Sequence, residues 1–391
     1  KDTARGPPAP SSPPSPQRGR VKIEMFGDFF LRFFFLLCGL FTVAPAASAG
    51  ILASESDHRI YEALVLSNGL RVVLISDPTT DKAAASLDLN VGSGSDPDDR
   101  EGLAHLLEHM LFLGTDRYPK AGEYQEFIRS RGGNHNAYTS VDHTNYYFDI
   151  EASHLAGALD RFARFFVAPT LDPRLIASER SVVQAEYSSK QEADGRRIWV
   201  ARRQALDPAH PQAGFAVGSE QTLADRLGDP VADDLQAFYL QHYHAGRMVL
   251  AVLGKEPLKE LEGMVRSRFD DVPAGTSRAV PDSVTLYAID TLPIWQVVEP
   301  KKELRQLSFI FPVPSTRKLY ATKPLSYVAN LLGHEGPGSL LAVLKAKGWA
   351  ESLSAGPGMM RDAEGTFEIV IGLTPTGLEH IEAIGETVFD A

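Results

Sequence analysis

The sequence predicts an α+β fold of duplicated two-layer domains, each a mixed or antiparallel sheet with helices on one face. Three observations lead there. Segments of period 2 and segments of period 3.6 follow one another in mixed order, not in strict alternation. The first two strands flank Ser67-Asn68-Gly69, and Asn-Gly is the strongest short signal for an antiparallel hairpin. A helical hexapeptide, Ala104-His105-Leu106-Leu107-Glu108-His109, returns as Ala329-Asn330-Leu331-Leu332-Gly333-His334, with the first His and the Glu lost.

The hairpin pairs Tyr61–Leu66 with Leu70–Ile75. A third strand follows at Ala84–Val91, where Leu87, Leu89 and Val91 alternate with polar residues. The Gly/Ser/Asp loop from Gly92 to Asp99 lacks both the Gly-Lys-Ser/Thr ending and the dinucleotide glycine spacing, so it reads as a strand-to-helix turn. Helices are expected at Glu101–Leu113, Gly122–Arg131, His154–Phe166, Pro173–Glu192 and Val231–Tyr243, with strands at Asn136–Ile150 and Arg247–Leu253. Around Asp271–Pro281 the composition turns to that of a linker. A strand at Leu304–Val313 and helices at Leu325–His334 and His380–Phe389 begin the pattern again, and the second unit reads as incomplete at Ala391. The expected organisation is a catalytic domain over 50–275, a linker over 276–290 and a second, non-catalytic domain from 291 onward.

A chain of 391 residues suits about two domains. Its 43% hydrophobic and 23% charged residues are those of a soluble globular protein. The formal charge of -11 excludes a nucleic-acid binder, which needs a Lys/Arg surplus. Cys38 is the single cysteine, so any metal must be held by His and carboxylate. Residues 1–24, rich in Pro, Ser and basic residues, read as a leader foreign to the mature protein. From Met25, Arg32 precedes an apolar run that ends in Ala47-Ser48-Ala49, the pattern of a signal peptide cleaved after Ala49. That implies a periplasmic or otherwise exported protein without stable membrane contact; an uncleaved anchor is the alternative, but the run is short for a span.

His105 and His109 are four apart on a helix, so their rings share a face one turn apart and can bind one zinc. Glu108 projects beside that face, where it can take a proton from the attacking water instead of ligating. The order His-x-x-Glu-His inverts the commoner His-Glu-x-x-His. Three fixed positions recur by chance, but the helix is otherwise apolar, and two His and a Glu in a buried helix are costly without a partner. A third ligand is expected from the 173–192 helix, whose Glu179 and Glu186 lie two turns apart while Ile176, Val182 and Val183 form its apolar side. Either glutamate fits the spacing, the other then supporting the site, and two solvated glutamates would show the same spacing. Asn136, Ala137 and Tyr138 begin an aromatic strand whose edge would pair with an extended peptide, though a plain loop-to-strand entry reads the same. His135 and His143 read as structural or substrate-lining.

His105-Leu106-Leu107-Glu108-His109, Asn136-Ala137-Tyr138-Thr139-Ser140 and His143–Asp149 together resemble the pitrilysin/insulin-degrading enzyme family of inverzincins. His334–Leu341 and Lys347-Gly348-Trp349 are similar to the second domain of that branch. The resemblance implies an insulinase-type fold with one zinc, Glu186 as the third ligand and Glu179 as a supporting carboxylate. It also implies that Asn136–Ser140 is the substrate-pairing edge, and that His334, Gly336 and Gly338, with Ser354–Gly356, hold the substrate's N-terminal end. Family members enclose peptides between two bowl-shaped halves of four similar domains, so a closed chamber would need a C-terminal half beyond this sequence. The function expected is a zinc endopeptidase acting on peptides and small unfolded proteins. A catalytically silent binding subunit would carry a broken motif, and a structural zinc site would fill all four positions with protein ligands.

Overall fold

A computed structural model describes residues 51, 53–276 and 284–391. The expected leader, the signal segment with Cys38, and residues 277–283 of the linker lie outside the described residues.

The first sheet has six strands: β1 Ile60–Val65, β2 Arg71–Ser76, β3 Lys82–Leu89, β4 Asn134–Thr139, β5 Thr144–Glu151 and β6 Met248–Gly254. Their order is β1-β2-β6-β3-β5-β4, antiparallel throughout except where β2 and β6 run parallel. It is the mixed sheet the sequence predicts. Alternation places Leu87, Leu89, Tyr146, Phe148, Leu250 and Val252 on the buried face. Helices α1 Leu103–Leu111, α2 Glu123–Arg129, α3 Leu155–Val167, α4 Pro173–Lys190, α5 Asp194–Arg203, α6 Val231–His242 and α7 Leu258–Phe269 complete this part. Phe162, Phe165 and Phe166 of α3 pack edge-on or tilted among themselves and against Tyr146 and Phe148, which ties that helix to the sheet.

The expected single strand over Asn136–Ile150 is instead a hairpin, β4 and β5 joined at Ser140–His143, where the Ser140 N–H donates to the His143 carbonyl at 2.8 Å. Continuous β-formers on both sides of a short polar turn hide such a break from a period-2 reading. The Gly-rich loop rests on this turn. Ser93 N–H donates to Ser140 O at 2.9 Å and Gly94 N–H to Val141 O at 2.8 Å. A Cβ on Gly92 would lie 2.1 Å from Ser140 O, so that glycine permits the backbone approach.

The second sheet contains β7 Gln306–Pro314, β8 Ala350–Met360 and β9 Glu364–Leu373 in the antiparallel order β7-β9-β8. Helices α8 Pro324–Leu332, α9 Leu340–Ala346, α10 Pro375–Leu378 and α11 Ile381–Phe389 accompany it. Polar pairs join the two parts. His210 Nε2 lies 2.8 Å from Glu364, Arg202 donates to Glu368 at 2.9 Å, and Arg317 donates to Asp142 at 3.0 Å. Helices α5, α7, α9 and α10 and strands β8 and β9 were not anticipated from the sequence. Among the described residues no helix is long and apolar enough to cross a membrane.

Candidate active site

The site is built on α1, which starts without a side-chain cap of its own. Gly102 precedes it at φ +90°, and Asp96 in the loop before it supplies the missing acceptors: Gly102 N–H and Ala104 N–H donate to its carboxylate at 2.7 and 2.8 Å. Burial pushes the Asp96 carboxyl up to about 7 against those two donors. Gly102 also lies under Gly218, whose Cα would be 2.2 Å from any Cβ there. That contact brings the Val217 carbonyl to His105, whose Nδ1 lies 2.7 Å from it. Just upstream, buried Arg100 holds Asp234 at 2.6 Å, Asp229 at 3.0 Å and the Ala224 carbonyl, which fixes the 217–230 segment over the helix.

Helix α4 lies alongside α1. It starts cleanly because Asp172 caps Arg174 N–H at 3.0 Å and Pro173 takes the first helical position. Ile176, Glu179, Val183 and Glu186 recur at three- and four-residue steps and so share one stripe. Ile176 and Val183 are buried, whereas Val182 is 43% exposed and does not belong to the apolar side expected of it. A stripe that alternates apolar residues with carboxylates brings the two glutamates to the histidines.

Glu179 Oε2 lies 3.3 Å from His109 Nδ1, and Glu186 Oε2 lies 3.8 Å from His105 Nε2. The two imidazoles sit with centroids 4.9 Å apart and nearly perpendicular. With each Nδ1 proton given to an acceptor, both Nε2 atoms keep a lone pair, the arrangement that metal-binding histidines use. His105, His109 and Glu186 each offer a donor atom, and the three lie within 4.8 Å of one another. Two imidazoles and a carboxylate so gathered, with no thiolate among them, are a donor set that could hold a zinc ion with one position open. Glu179 does not belong to that trio; it orients His109.

Glu108 points elsewhere. It is 8% exposed, and Thr139, the last residue of β4, donates its hydroxyl to Glu108 Oε2 at 2.6 Å. Burial raises the Glu108 carboxyl above the ordinary carboxylate range, with Thr139 and the charge of His109 opposing and Glu186 adding to the rise. Burial lowers His105. Burial also disfavours the charged form of His109, but its hydrogen bond to Glu179 and the nearby carboxylates outweigh that and raise it.

Asn136, Ala137 and Tyr138 lie on β4, which among the described residues pairs only with β5 and leaves its other edge free beside Glu108. Tyr138 is exposed and stacks edge-on with His143 at 5.6 Å. His143 in turn lies 2.7 Å from Asp142. His135 packs between Phe112 and Tyr124. His334, Gly336 and Gly338 occupy the exposed loop after α8, where Gly336 N–H donates to His334 Nδ1 at 3.0 Å. Among the described residues no hydrogen bond or ion pair joins that loop to His105, Glu108 or His109. Sequence reasoning assigned no role to Val217 or Asp96, and to Thr139 only a place on the substrate-pairing edge. Thr139 lay inside a quoted motif, but the backbone carbonyl of Val217 carries no side-chain signal.

Residues 71–205 match the model of the insulinase family (peptidase family M16), and residues 230–391 match that of the peptidase M16 inactive domain. Insulin-degrading enzyme of Bos taurus is 40% identical over 339 residues, covering 85% of this chain and 33% of that protein. A putative zinc protease of Caenorhabditis elegans is 37% identical over 344 residues, covering 87% of this chain and 40% of that protein. The crystal structure of pitrilysin superposes with a TM-score of 0.81 at 30% identity, covering 88% of this chain and 37% of that one. The chain thus spans about a third of the length of the curated relatives it matches.

Proposed function

This chain belongs to the insulinase family, peptidase family M16, and on that premise we propose that it carries the zinc-binding and proton-transfer part of an endopeptidase. Its substrates in this reading are peptides and small unfolded proteins. The observation that carries the proposal is the pairing of a three-donor cluster with a buried carboxylate that is not a member of it.

His105 Nε2, His109 Nε2 and a Glu186 oxygen would hold the ion. When bound, zinc supplies Lewis acidity that polarises the scissile carbonyl and lowers the pKa of a water. Everything else falls to the chain. Val217 O and Glu179 fix the imidazole tautomers. Glu108 takes the proton of the attacking water and returns it to the leaving amine. Its raised pKa suits both halves of that exchange, since a carboxyl poised nearer neutrality gives a proton back more readily than an ordinary one. Thr139 holds one Glu108 oxygen and leaves the other for the water. An extended peptide adds to the free edge of β4 by main-chain hydrogen bonds, which places its backbone next to Glu108 whatever its side chains are. The His334, Gly336 and Gly338 loop and the edge strand β8 are offered as the hold on the substrate's N-terminal end. Export belongs to the same proposal, and sequencing of the mature N-terminus should begin at Gly50.

The test is hydrolysis of an unstructured peptide by the full-length gene product, with and without Glu108→Gln, alongside a metal assay. Zinc-dependent cleavage that disappears in the variant while zinc is retained supports the reading. Equal cleavage by both proteins would mean that Glu108 is not the base.

A further inference from the structure

Helix α5 carries four arginines in a protein whose formal charge is -11. Two of them are neutralised or tied down: Arg202 pairs with Glu368 at 2.9 Å, and Arg197 lies 4.0 Å from Asp194 and donates to the Glu299 carbonyl. The other two stack on an aromatic ring. Arg196 and Arg203 both lie against the Trp199 ring, 4.3 and 4.7 Å from its centroid. Among the described residues neither has a carboxylate within ion-pair distance. Arg203 is braced by the Ala213 carbonyl at 2.7 Å, while the buried Nε of Arg196 meets no acceptor. Both guanidiniums are half-buried, and loss of water disfavours their charge. The charge of nearby Glu101 offsets part of that cost for Arg203, whereas for Arg196 stacking on the indole offsets only part of it.

The position of this pair connects it to the site already described. Arg203 donates to the Ala213 carbonyl, four residues before Val217, and Tyr187 is the residue after Glu186. Tyr187 packs edge-on against Phe215 with centroids 5.0 Å apart. Phe215 N–H donates to Glu101 at 2.6 Å, and two residues later the Val217 carbonyl meets His105. The 213–217 segment therefore joins Arg203 to the carbonyl that meets His105.

We propose that Arg196 and Arg203, stacked on Trp199, form a subsite that selects an acidic side chain of the substrate next to the cleaved bond. The inference rests on the peptidase reading above for the location of that bond. A carboxylate there would accept from a guanidinium already flattened on an aromatic face, so little side-chain freedom is lost on binding.

The experiment uses full-length protein loaded with zinc and a set of unstructured peptides that share one sequence but carry Glu, Gln or Lys beside one bond. Dissociation constants are measured for the Glu108→Gln protein, in which peptides stay intact, with and without Arg196→Gln and Arg196→Glu. The ratio of Lys-peptide to Glu-peptide dissociation constants is expected to exceed one. It should fall roughly tenfold in Arg196→Gln, the worth of one charge-assisted contact, and fall below one in Arg196→Glu. A ratio cancels any uniform loss of folded protein. A ratio of one in the parent protein, or a preference that survives Arg196→Glu, overturns the subsite. So does a large loss of thermal stability in Arg196→Glu without any preference in the parent, which would assign Arg196 to an internal ion pair. Failure of the peptidase reading is seen separately, as intact peptide with Glu108 present, and leaves the binding ratio to decide the subsite.

Discussion

Helices α1 and α8 carry aligned hexapeptides and have opposite fates. In α1, Leu103, Ala104, Leu106, Leu107, Met110 and Leu111 are all buried; in α8, Leu325 alone is. Leu106 has no exposed surface, whereas Leu331 at the matching place is 60% exposed and Tyr327, one turn before it, is 64% exposed. The two sequences are almost equally apolar, so hydropathy does not separate them. Neighbours do. Helix α1 is enclosed by the six-stranded sheet, α4, α6 and the 217–230 segment, while α8 rests on β8. The two histidines of α1 thus meet between them a carbonyl and two carboxylates from other elements, and the position on α8 that matches His105, Asn330, is exposed.

The sharpest way to break this contrast is at Glu108, which has no counterpart in α8. Replacing it by Gln should lower kcat/KM for peptide hydrolysis by about 10²–10⁴-fold with zinc content unchanged. Asn330, exposed on α8 and aligned with His105, should tolerate Ala with activity within about twofold; both are read in one peptide assay.

Core substitution comes next. Leu106→Ala should cost about 2–5 kcal/mol in denaturant unfolding, because its neighbours cannot close the void. Leu331→Ala should stay within about 0.5 kcal/mol. Comparable losses for both would show that α8 is covered in the full-length protein.

Zinc bridges α1 to α4 in this reading, so saturation at about a hundred times its dissociation constant should add about 2.7 kcal/mol to unfolding. Asn330→His places the missing histidine on α8 but brings no carboxylate stripe beside it. Metal analysis should still give one zinc per chain.

The smallest effect concerns Thr139. In the proposed mechanism Glu108 acts as a base only when ionised, so activity should fall as pH drops through its raised pKa. Thr139→Val removes a donor that favours the ionised form, and the acid limb of the kcat/KM profile should move to higher pH. Thr139→Ser should restore it. An unmoved limb would sever the edge strand from the base.

Much of this site was legible beforehand because its signals are local. The four-residue step of His105 and His109 and the intervening Glu108 need only a helix to acquire meaning. The stripe of Ile176, Glu179, Val183 and Glu186 was half legible: its spacing was visible, but Val182 was assigned to the apolar side because no sequence rule says which neighbour a helix turns toward. The β4–β5 hairpin was read as one strand, since its turn residues Val141 and Thr144 at the strand entry are themselves good β-formers.

By itself the sequence determined the periodicities, and through them most strands of the first sheet, most helices and which side chains are candidates for metal chemistry. Local steric preference and 3.6- or 2-residue repeats are properties of short segments and need no partner. The tertiary structure alone decided which carboxylate meets which imidazole, that Thr139 holds Glu108, and that Val217 orients His105. Those contacts span 31 residues from Glu108 to Thr139 and 112 from His105 to Val217. Pairings at such separations depend on how helices pack and where loops close, which no window along the chain contains.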